Sequence, residues 1–191
     1  MMEVEVDYFA VLGQEHRAEL DIAAIRDEFQ RLSRECHPDA GGELQAFETL
    51  NQAHSVISDP VSRLRHLYEL EFGQFPPSSG GFSHQALGLF ETVGAAVAGA
   101  AAFFQRSSSA TTAIARALIA RDEQGVQRAV IDACGKVRSR RDELLLSLPE
   151  VDRRLVADRE AARAFVEDLC RELAFLAKWE RQLNESMAGF L

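Results

Sequence analysis

A thiol, an imidazole, a rigid imide ring and a carboxylate lie side by side in one segment of the chain, Cys36-His37-Pro38-Asp39. Side chains of these types can bind a metal ion, supply a nucleophile with its base, or recognise another molecule. Adjacent ligands rarely face one ion, and no second pair is spaced to complete a coordination shell, so the pattern disfavours a metal site. A helix end with locally bonded polar groups and a recognition loop remain as alternatives.

The helix that leads into this segment argues against a reactive cysteine. Its apolar side chains recur every three or four residues after Asp21, at Ile22, Ile25, Phe29, Leu32 and Cys36. Cys36 therefore continues an apolar stripe, and we interpret it as a small core residue instead of an activated thiolate. Pro38 disfavours helical geometry at His37, so we expect the helix to end there.

Local signals also place the neighbouring helices. A short helix over 6–12 is predicted to end at Gly13, because glycine adopts the left-handed conformation at little cost. A second apolar stripe over 44–57 predicts an antiparallel partner for the first long helix, since the connection between them is short. Asp59 and Pro60 suit the cap and first turn of a further helix that reaches about residue 72.

The charge of the chain limits its partners. It has 191 residues and a net charge of −9, which would repel a polyphosphate, so we expect no nucleic-acid partner. Residues 1–72 carry the whole excess, with 15 acidic and 6 basic side chains. The 3 cysteines are widely spaced and suggest no disulfide framework. The acidic start lacks the features of a signal peptide, so a cytoplasmic location is expected.

The second part of the chain also has helical periodicity. Residues 73–83 gather Pro, Gly and Ser and predict a linker. The apolar segment 86–104 is rich in Ala and Gly, contains Glu91 and lacks basic flanks, which favours a close-packed buried helix over a membrane span. The remaining predictions are a break at Ser107–Ser109, helices over 111–121 and 123–148, an end at Pro149, and a long last helix from about Asp152. No segment has the pattern of a strand, so the predicted fold is all-α.

Three motifs within residues 7–72 follow one known pattern: DYFAVLG at the start, RDEFQRLSRE before His37-Pro38-Asp39, and AFETLNQAHSVISDP ending at Pro60. Together they resemble the J domain of DnaJ-type co-chaperones, an antiparallel helical hairpin that carries this tripeptide in its loop. The resemblance implies that His37, Pro38 and Asp39 dock on an ATP-bound DnaK-type heat-shock chaperone and stimulate its ATP hydrolysis. The protein would then be an ATPase activator and not an enzyme, with no catalytic residue and no cofactor or metal of its own.

Basic residues on the helix before the tripeptide are implied to meet an acidic surface of the chaperone. Arg26, Arg31 and Arg34 match that role by position, and Arg31 and Arg34 share a helix face. Glu35 and Ala40 depart from the family pattern, because many members have Lys or Arg at these places. A solvated mixed-charge face is the alternative interpretation of the three arginines.

Two later segments, RRDELL at 140–145 and LAFLAKWERQL at 173–183, resemble the HscB family, in which a J domain precedes a three-helix bundle. The resemblance implies a J domain over 1–75, a helical bundle over 76–191, and an IscU-type iron-sulfur scaffold as client. The residues expected to bind the client are, in two alternative registers, Leu89, Phe90 and Glu91, or Phe103 and Phe104. In both registers the acidic residues that should follow are replaced by Ala, Gly, Ser or Thr, so the fold can be shared without the client. The apolar members, Leu89, Phe90, Phe103 and Phe104, are equally explained as core residues.

Two other functions remain open on the sequence. In one, the J domain is retained but the helical domain serves a different protein client or self-association of the chain. In the other, the chain is a J-like scaffold that bridges proteins and stimulates nothing.

Overall fold

A computed structural model describes residues 6–37, 42–77, 80–81 and 83–190, and within these ranges the chain forms helices and no strand. This confirms the predicted all-α fold. The helices are α1 (Tyr8–Val11), α2 (Ile22–Cys36), α3 (Leu44–Ser58), α4 (Pro60–Phe72), α5 (His84–Ser109), α6 (Ala113–Leu145), α7 (Leu148–Ala157) and α8 (Arg159–Ala188).

The first four helices begin and end where short-range chemistry predicts. The carboxylate of Asp21 accepts the backbone N–H groups of Ala23 and Ala24 at the start of α2. Asp59 caps α4 in the same way, with Pro60 in the first turn, where its missing N–H costs nothing. Gly13 and Gly73, which follow α1 and α4, have positive φ angles of 60° and 67°.

Helix α3 is central to this part of the chain, because it packs against α1, α2 and α4. The apolar side chains that it and its neighbours bury are large and fully enclosed, as expected for one hydrophobic core. They include Phe9, Leu12, Ile25, Ile57, Leu64, Leu67 and Tyr68.

The chain divides into two compact units, and neither is continuous in sequence. The first comprises Met1–Ser78 and Leu145–Cys170, and the second comprises Ser79–Leu144 and Arg171–Leu191. The predicted boundary between two domains at about residue 75 is a different division of the chain, and it stays a prediction. The compact unit around α1 to α4 also takes in α7 and the first part of α8.

Side chains from α7 and α8 complete the first unit. Leu148 and Val151 of α7 and Val166 of α8 are buried. The Tyr68 hydroxyl donates to the Glu167 carboxylate at 2.5 Å. Burial of an apolar face and a specific polar contact together explain why these residues belong with α1 to α4.

The second unit is built from α5, α6 and the later part of α8. Small residues such as Ala96, Ala100 and Ala133 let the helices approach closely, while larger side chains fill the space between them. The buried cluster consists of Val93, Ala96, Ala100, Val130, Ala133, Cys134, Val137, Leu176, Trp179 and Leu183.

Several predicted helix boundaries in this region are wrong. Ser107–Ser109 do not break the chain but form the end of α5, where the hydroxyls of Ser108 and Ser109 donate to carbonyls three residues earlier. The two helices predicted between 111 and 148 are one helix, α6. Pro149 lies in the first turn of α7 instead of ending a helix, and the last helix is interrupted at Asp158, which caps α8 by accepting the N–H of Ala161.

Helix α5 is long and apolar enough, by length and composition, to cross a membrane, and it is the one such helix within the described residues. Only 22% of its most apolar window is buried. The prediction of a close-packed buried helix therefore holds for one side only, the side that gives Val93, Ala96 and Ala100 to the bundle core. A core helix of a soluble bundle passes the same length and composition test.

Candidate functional site

His37 stands at the end of α2 with its side chain exposed. Its ring and the ring of Phe47 of α3 meet in an edge-to-face arrangement, with the centroids 5.1 Å apart. Its carbonyl accepts the backbone N–H of Gly42 at 3.0 Å, which ties the two sides of the connection together. Pro38 and Asp39, the other two residues of the predicted loop, lie outside the described residues.

Gly42 approaches the end of α2 so closely that a side chain at this position would clash. A Cβ atom built at Gly42 would fall on the backbone of Cys36, with its carbonyl oxygen as the nearest atom. Backbone atoms at a helix end cannot move aside as a flexible side chain would, so a larger residue would displace the connection next to His37.

Cys36 occupies the position that its apolar stripe predicts. Its thiol is half-buried and donates to the Leu32 carbonyl at 3.0 Å. Within the described part of the chain, no cluster of three or more His, Cys, Asp or Glu side chains could hold a metal ion.

Arg31 is held by two carboxylates of its own helix. Its Nε and Nη2 atoms donate to the two oxygens of Glu28 at 3.0 and 2.6 Å, and its Nη1 donates to Glu35 at 2.6 Å. These bonds raise the pKa of the Arg31 guanidinium and lower the pKa of the Glu28 carboxyl. All three nitrogens of the guanidinium thus donate to carboxylates of α2 itself.

Arg26 and Arg34 are exposed, and neither makes an ion pair or hydrogen bond with the residues that the structure describes. Arg26 does act on the α2–α3 pair, where the rings of Phe29 and His54 stack with centroids 3.9 Å apart. Burial, followed by the positive charge of Arg26, lowers the pKa of His54. His54 is therefore stabilised as the neutral ring.

Buried polar groups near the start of α2 and the end of α3 hold the hairpin in place, and the sequence analysis did not predict them. The buried guanidinium of Arg63 donates to the carbonyls of Ala18 and Ile57 at 2.9 and 2.6 Å. The carboxylate of Asp152 accepts the N–H of Ala18 at 2.6 Å and that of Glu19 at 3.1 Å. Burial lowers the pKa of Arg63, while the nearby carboxylates oppose that shift.

A second buried polar contact holds α1 on α4. The imidazole of His66 accepts the backbone N–H of Tyr8 at 3.1 Å and stacks on the ring of Phe9. The positions of Arg63 and His66 in the sequence do not predict these long-range hydrogen bonds, because arginine and histidine side chains more often face solvent.

The five residues predicted to bind a client separate into two groups in the second unit. Phe90 is 62% exposed, Glu91 is exposed and Leu89 is half-buried. Phe103, in contrast, is 5% exposed, and Phe103 and Phe104 both pack against Phe190. Phe103 and Phe104 thus occupy core positions, the alternative that the sequence left open for them.

Leu89 of this first group lines a groove between α5 and α6, whereas the Phe90 ring lies 6.2 Å from that of Trp179 of α8. The volume of the groove is about 860 Å³. Leu89 and Ile131 supply apolar surface in it. Its charged residues are of both signs, since Asp132 and Glu143 line it beside Lys136 and Arg140, and Arg140 is bonded to Glu143 and Glu172. Ile131 is 52% exposed, so this groove offers an apolar surface with charged borders.

Comparisons with known proteins agree with this arrangement. The DnaJ domain family model matches residues 7–66. The DnaJ chaperone of Gloeothece citriformis is 35% identical over 97 residues, which are 46% of this chain and 24% of that protein. The co-chaperone HscB of Proteus mirabilis is 32% identical over 75 residues, which are 35% of this chain and 43% of that protein. The chain therefore spans about a quarter of that DnaJ and under half of that HscB.

The solved structure of the chaperone HscB from Vibrio cholerae covers 97% of this chain and is itself covered completely, with a TM-score of 0.62 at 20% identity. This chain carries a DnaJ domain and has the fold of HscB. Its J domain begins at α1 and ends within α4. His37 lies between the two helices of the J-domain hairpin, and the helices that follow have the architecture of HscB.

Proposed function

We propose that this J-domain protein is a co-chaperone that docks on an ATP-bound DnaK-type chaperone through His37, Pro38 and Asp39 and stimulates its ATP hydrolysis. The observation that carries the proposal is the match of residues 7–66 to the DnaJ domain with this tripeptide intact. The exposed position of the His37 ring at the end of α2 supports it further.

Such stimulation needs no transfer of atoms from the co-chaperone. A loop accelerates hydrolysis when it binds the hydrolysis-competent state of its partner more tightly than the resting state, and a tenfold shift in that balance takes about 1.4 kcal/mol. The edge contact with Phe47 and the Gly42 hydrogen bond restrain His37 before binding, which lowers the entropy lost on docking. In this proposal Pro38 fixes the path of the loop, and Asp39 forms a charge-assisted bond with a partner arginine.

The test is the replacement His37→Gln in the full chain. We expect helicity and the melting temperature to stay unchanged, because the side chain is exposed, while stimulation of the cognate chaperone's ATPase is lost. His84→Gln is a matched control, since His84 is also exposed and begins a helix. If His37→Gln stimulates as well as the parent chain, stimulation does not depend on this tripeptide and the proposal is wrong. If neither chain stimulates, the protein is a J-like scaffold and not an activator.

For the client we propose an IscU-type iron-sulfur scaffold, bound on the exposed side of α5 at Leu89, Phe90 and Glu91 next to the α5–α6 groove. The HscB-like fold and the exposure of Phe90 support this surface. Phe103 is left out of it, because burial at 5% exposure keeps its ring from a partner. The acidic residues missing from α5 favour a second candidate, a different protein client on the same surface.

Calorimetric titration of the full chain with the organism's IscU-type scaffold separates the two candidates. The full chain is required because residues 145–170 belong to the first compact unit, so a fragment from residue 76 would lose their packing. Binding at micromolar concentrations that weakens in Phe90→Ser supports the iron-sulfur scaffold. No heat at tens of micromolar, a free energy weaker than about 6 kcal/mol, favours the different client. We propose a cytoplasmic location, which the free thiols of Cys36, Cys134 and Cys170 support.

A further inference from the structure

One side of α5 is apolar, and the described residues of the second unit leave it exposed. The most apolar window of this helix has a mean hydropathy of 1.7, and only 22% of that window is buried. The buried side gives Val93, Ala96 and Ala100 to the bundle core. Side chains spaced three or four residues apart share the opposite side of the helix, which we call the outer face. Its members are all exposed: Leu87, Glu91, Ala95, Ala98, Ala102 and Gln105.

Charge occurs only near the two ends of the outer face. No Asp, Glu, Lys or Arg lies between Glu91 and Arg106, which are about 22 Å apart along the helix axis. Glu91 makes no ion pair or hydrogen bond with the residues that the structure describes. Arg106 donates from Nη1 to Asp122 at 3.1 Å, but both side chains of this pair are 52% exposed, so the bond holds the arginine weakly. An apolar strip thus has an anion at one end and an available cation at the other.

This charge pattern is complementary to itself when a second copy of the helix lies antiparallel. Glu91 of each copy then meets Arg106 of the other copy, and the two-fold axis passes between Ala98 and Gly99. In the same register Ala95 faces Ala102 of the second copy, and such small side chains let helix axes approach to about 8 Å. A parallel second copy would instead place Glu91 against Glu91, where like charges repel.

We propose that the outer face of α5 binds the same face of a second copy of this chain and forms an antiparallel, two-fold symmetric dimer. This inference does not rest on the proposed function. The 26 residues of α5 are about 39 Å long, so a strip about 10 Å wide covers about 400 Å² on each copy. That area is about half of what each partner contributes to a standard stable interface, so the dimer is reversible, with a dissociation constant of tens of micromolar.

Sedimentation equilibrium of the full chain tests the charge pairing, at about 5 to about 500 µM protein. Client is left out of the sample, because Glu91 also belongs to the surface proposed for the client. Glu91→Arg alone and Arg106→Glu alone each place like charges at both ends of the interface. We expect either change to raise the dissociation constant at least about tenfold. Glu48→Arg on α3 is the matched control, since it makes the same change of charge at an exposed position outside α5.

An equimolar mixture of the two charge variants gives the sharper result. The new arginine of one variant meets the new glutamate of the other, and the native Glu91 and Arg106 meet as well, so the mixture should dimerise about as tightly as the parent chain. No pairing within one chain could cause this rescue, because the two positions lie about 22 Å apart on one helix. A mixture that stays monomeric while both variants keep their helicity would overturn the proposal. A parent chain that is monomeric at about 500 µM would also overturn it and would leave the outer face to a different protein.

Disulfide cross-linking tests the antiparallel register. The background is Cys36→Ser, because Cys134 and Cys170 are buried and Cys36 is not. Ala98→Cys lies next to the two-fold axis and should give a cross-linked dimer under mild oxidation. Ala95→Cys should not, because its two copies would be about 10 Å apart along the axis, beyond the about 7 Å between Cα atoms that a disulfide can span. Cross-linking of both variants to the same extent would indicate parallel helices, and cross-linking of neither would exclude the contact; either result overturns the proposed dimer.

Discussion

Replacement of Asp152 by alanine should destabilise the J-domain unit, although Asp152 lies 134 residues from the backbone that it holds. Its two carboxylate oxygens accept the N–H groups of Ala18 and Glu19 at 2.6 and 3.1 Å. Ala18 is fully buried, and its carbonyl accepts from the buried guanidinium of Arg63. Loss of Asp152 therefore leaves one buried N–H without its acceptor and removes a counter-charge near Arg63.

The expected magnitude follows from these contacts. A hydrogen bond to a charged acceptor contributes about 1.5–3 kcal/mol to stability. The contributions of two hydrogen bonds that share one carboxylate sum to less than twice that value. The Asp152 side chain is 11% exposed, so water replaces the carboxylate poorly. We expect Asp152→Ala to lower the free energy of unfolding by about 2–4 kcal/mol, and Asp152→Asn by about half as much, because the amide keeps one acceptor oxygen.

Two measurements test this reasoning. Amide hydrogen exchange should accelerate at Ala18 and Glu19, and the urea midpoint followed by circular dichroism should fall in the order parent, Asn variant, Ala variant. Asp142→Ala is the control, since that carboxylate is 68% exposed and its loss should cost less than about 0.5 kcal/mol. Equal midpoints for Asp152→Ala and Asp142→Ala, with exchange at Ala18 unchanged, would refute the assigned role.

Two further predictions concern the hairpin. Gly42→Ala should lower the free energy of unfolding by about 1–3 kcal/mol, because its Cβ would meet the Cys36 backbone. The control is Gly94→Ala in α5, which should raise the free energy of unfolding by about 0.5–1 kcal/mol, because a Cβ there meets nothing within 4 Å. Urea midpoints that shift in the same direction in both variants would contradict this. The folded-state pKa of His54 is below its ordinary value, so the folded chain binds fewer protons than the unfolded chain and stability should fall as pH drops below about 6.5 toward that lowered pKa. His54→Phe, which keeps a ring against Phe29, should show a smaller loss of stability between about pH 7.5 and about pH 5.5, and an unchanged pH slope would count against the role of His54.

The hairpin was predictable from sequence because its boundaries depend on neighbours in the chain. Asp21 and Asp59 cap helices that begin at the next residue, and Gly73 follows α4 in the left-handed conformation. Each of these signals acts within four residues, so the sequence contains the whole interaction. The position of His37 at the end of α2 follows from the same local rules.

The contacts that complete the J-domain unit were not predictable by such rules. Asp152 has no local feature that marks it as the partner of Ala18, and Tyr68 and Glu167 lie 99 residues apart. Pro149 shows how one residue supports opposite interpretations, because proline both ends a preceding helix and suits the first turn of a following one. The burial of Leu148 and Val151 decides between the two interpretations, and this tertiary packing cannot be predicted from the neighbouring residues alone.

The ion pairs of α2 show a second limit of prediction from sequence. The net charge of residues 1–72 is correctly read from the sequence, and the spacings of Glu28, Arg31 and Glu35 by three and four residues are visible there too. Those spacings allow Glu28 and Glu35 to bind Arg31 but do not require it, because Arg31 and Arg34 also share a face that could form a single cationic patch. Side-chain conformation decides between the two, and it directs all three Arg31 nitrogens onto Glu28 and Glu35.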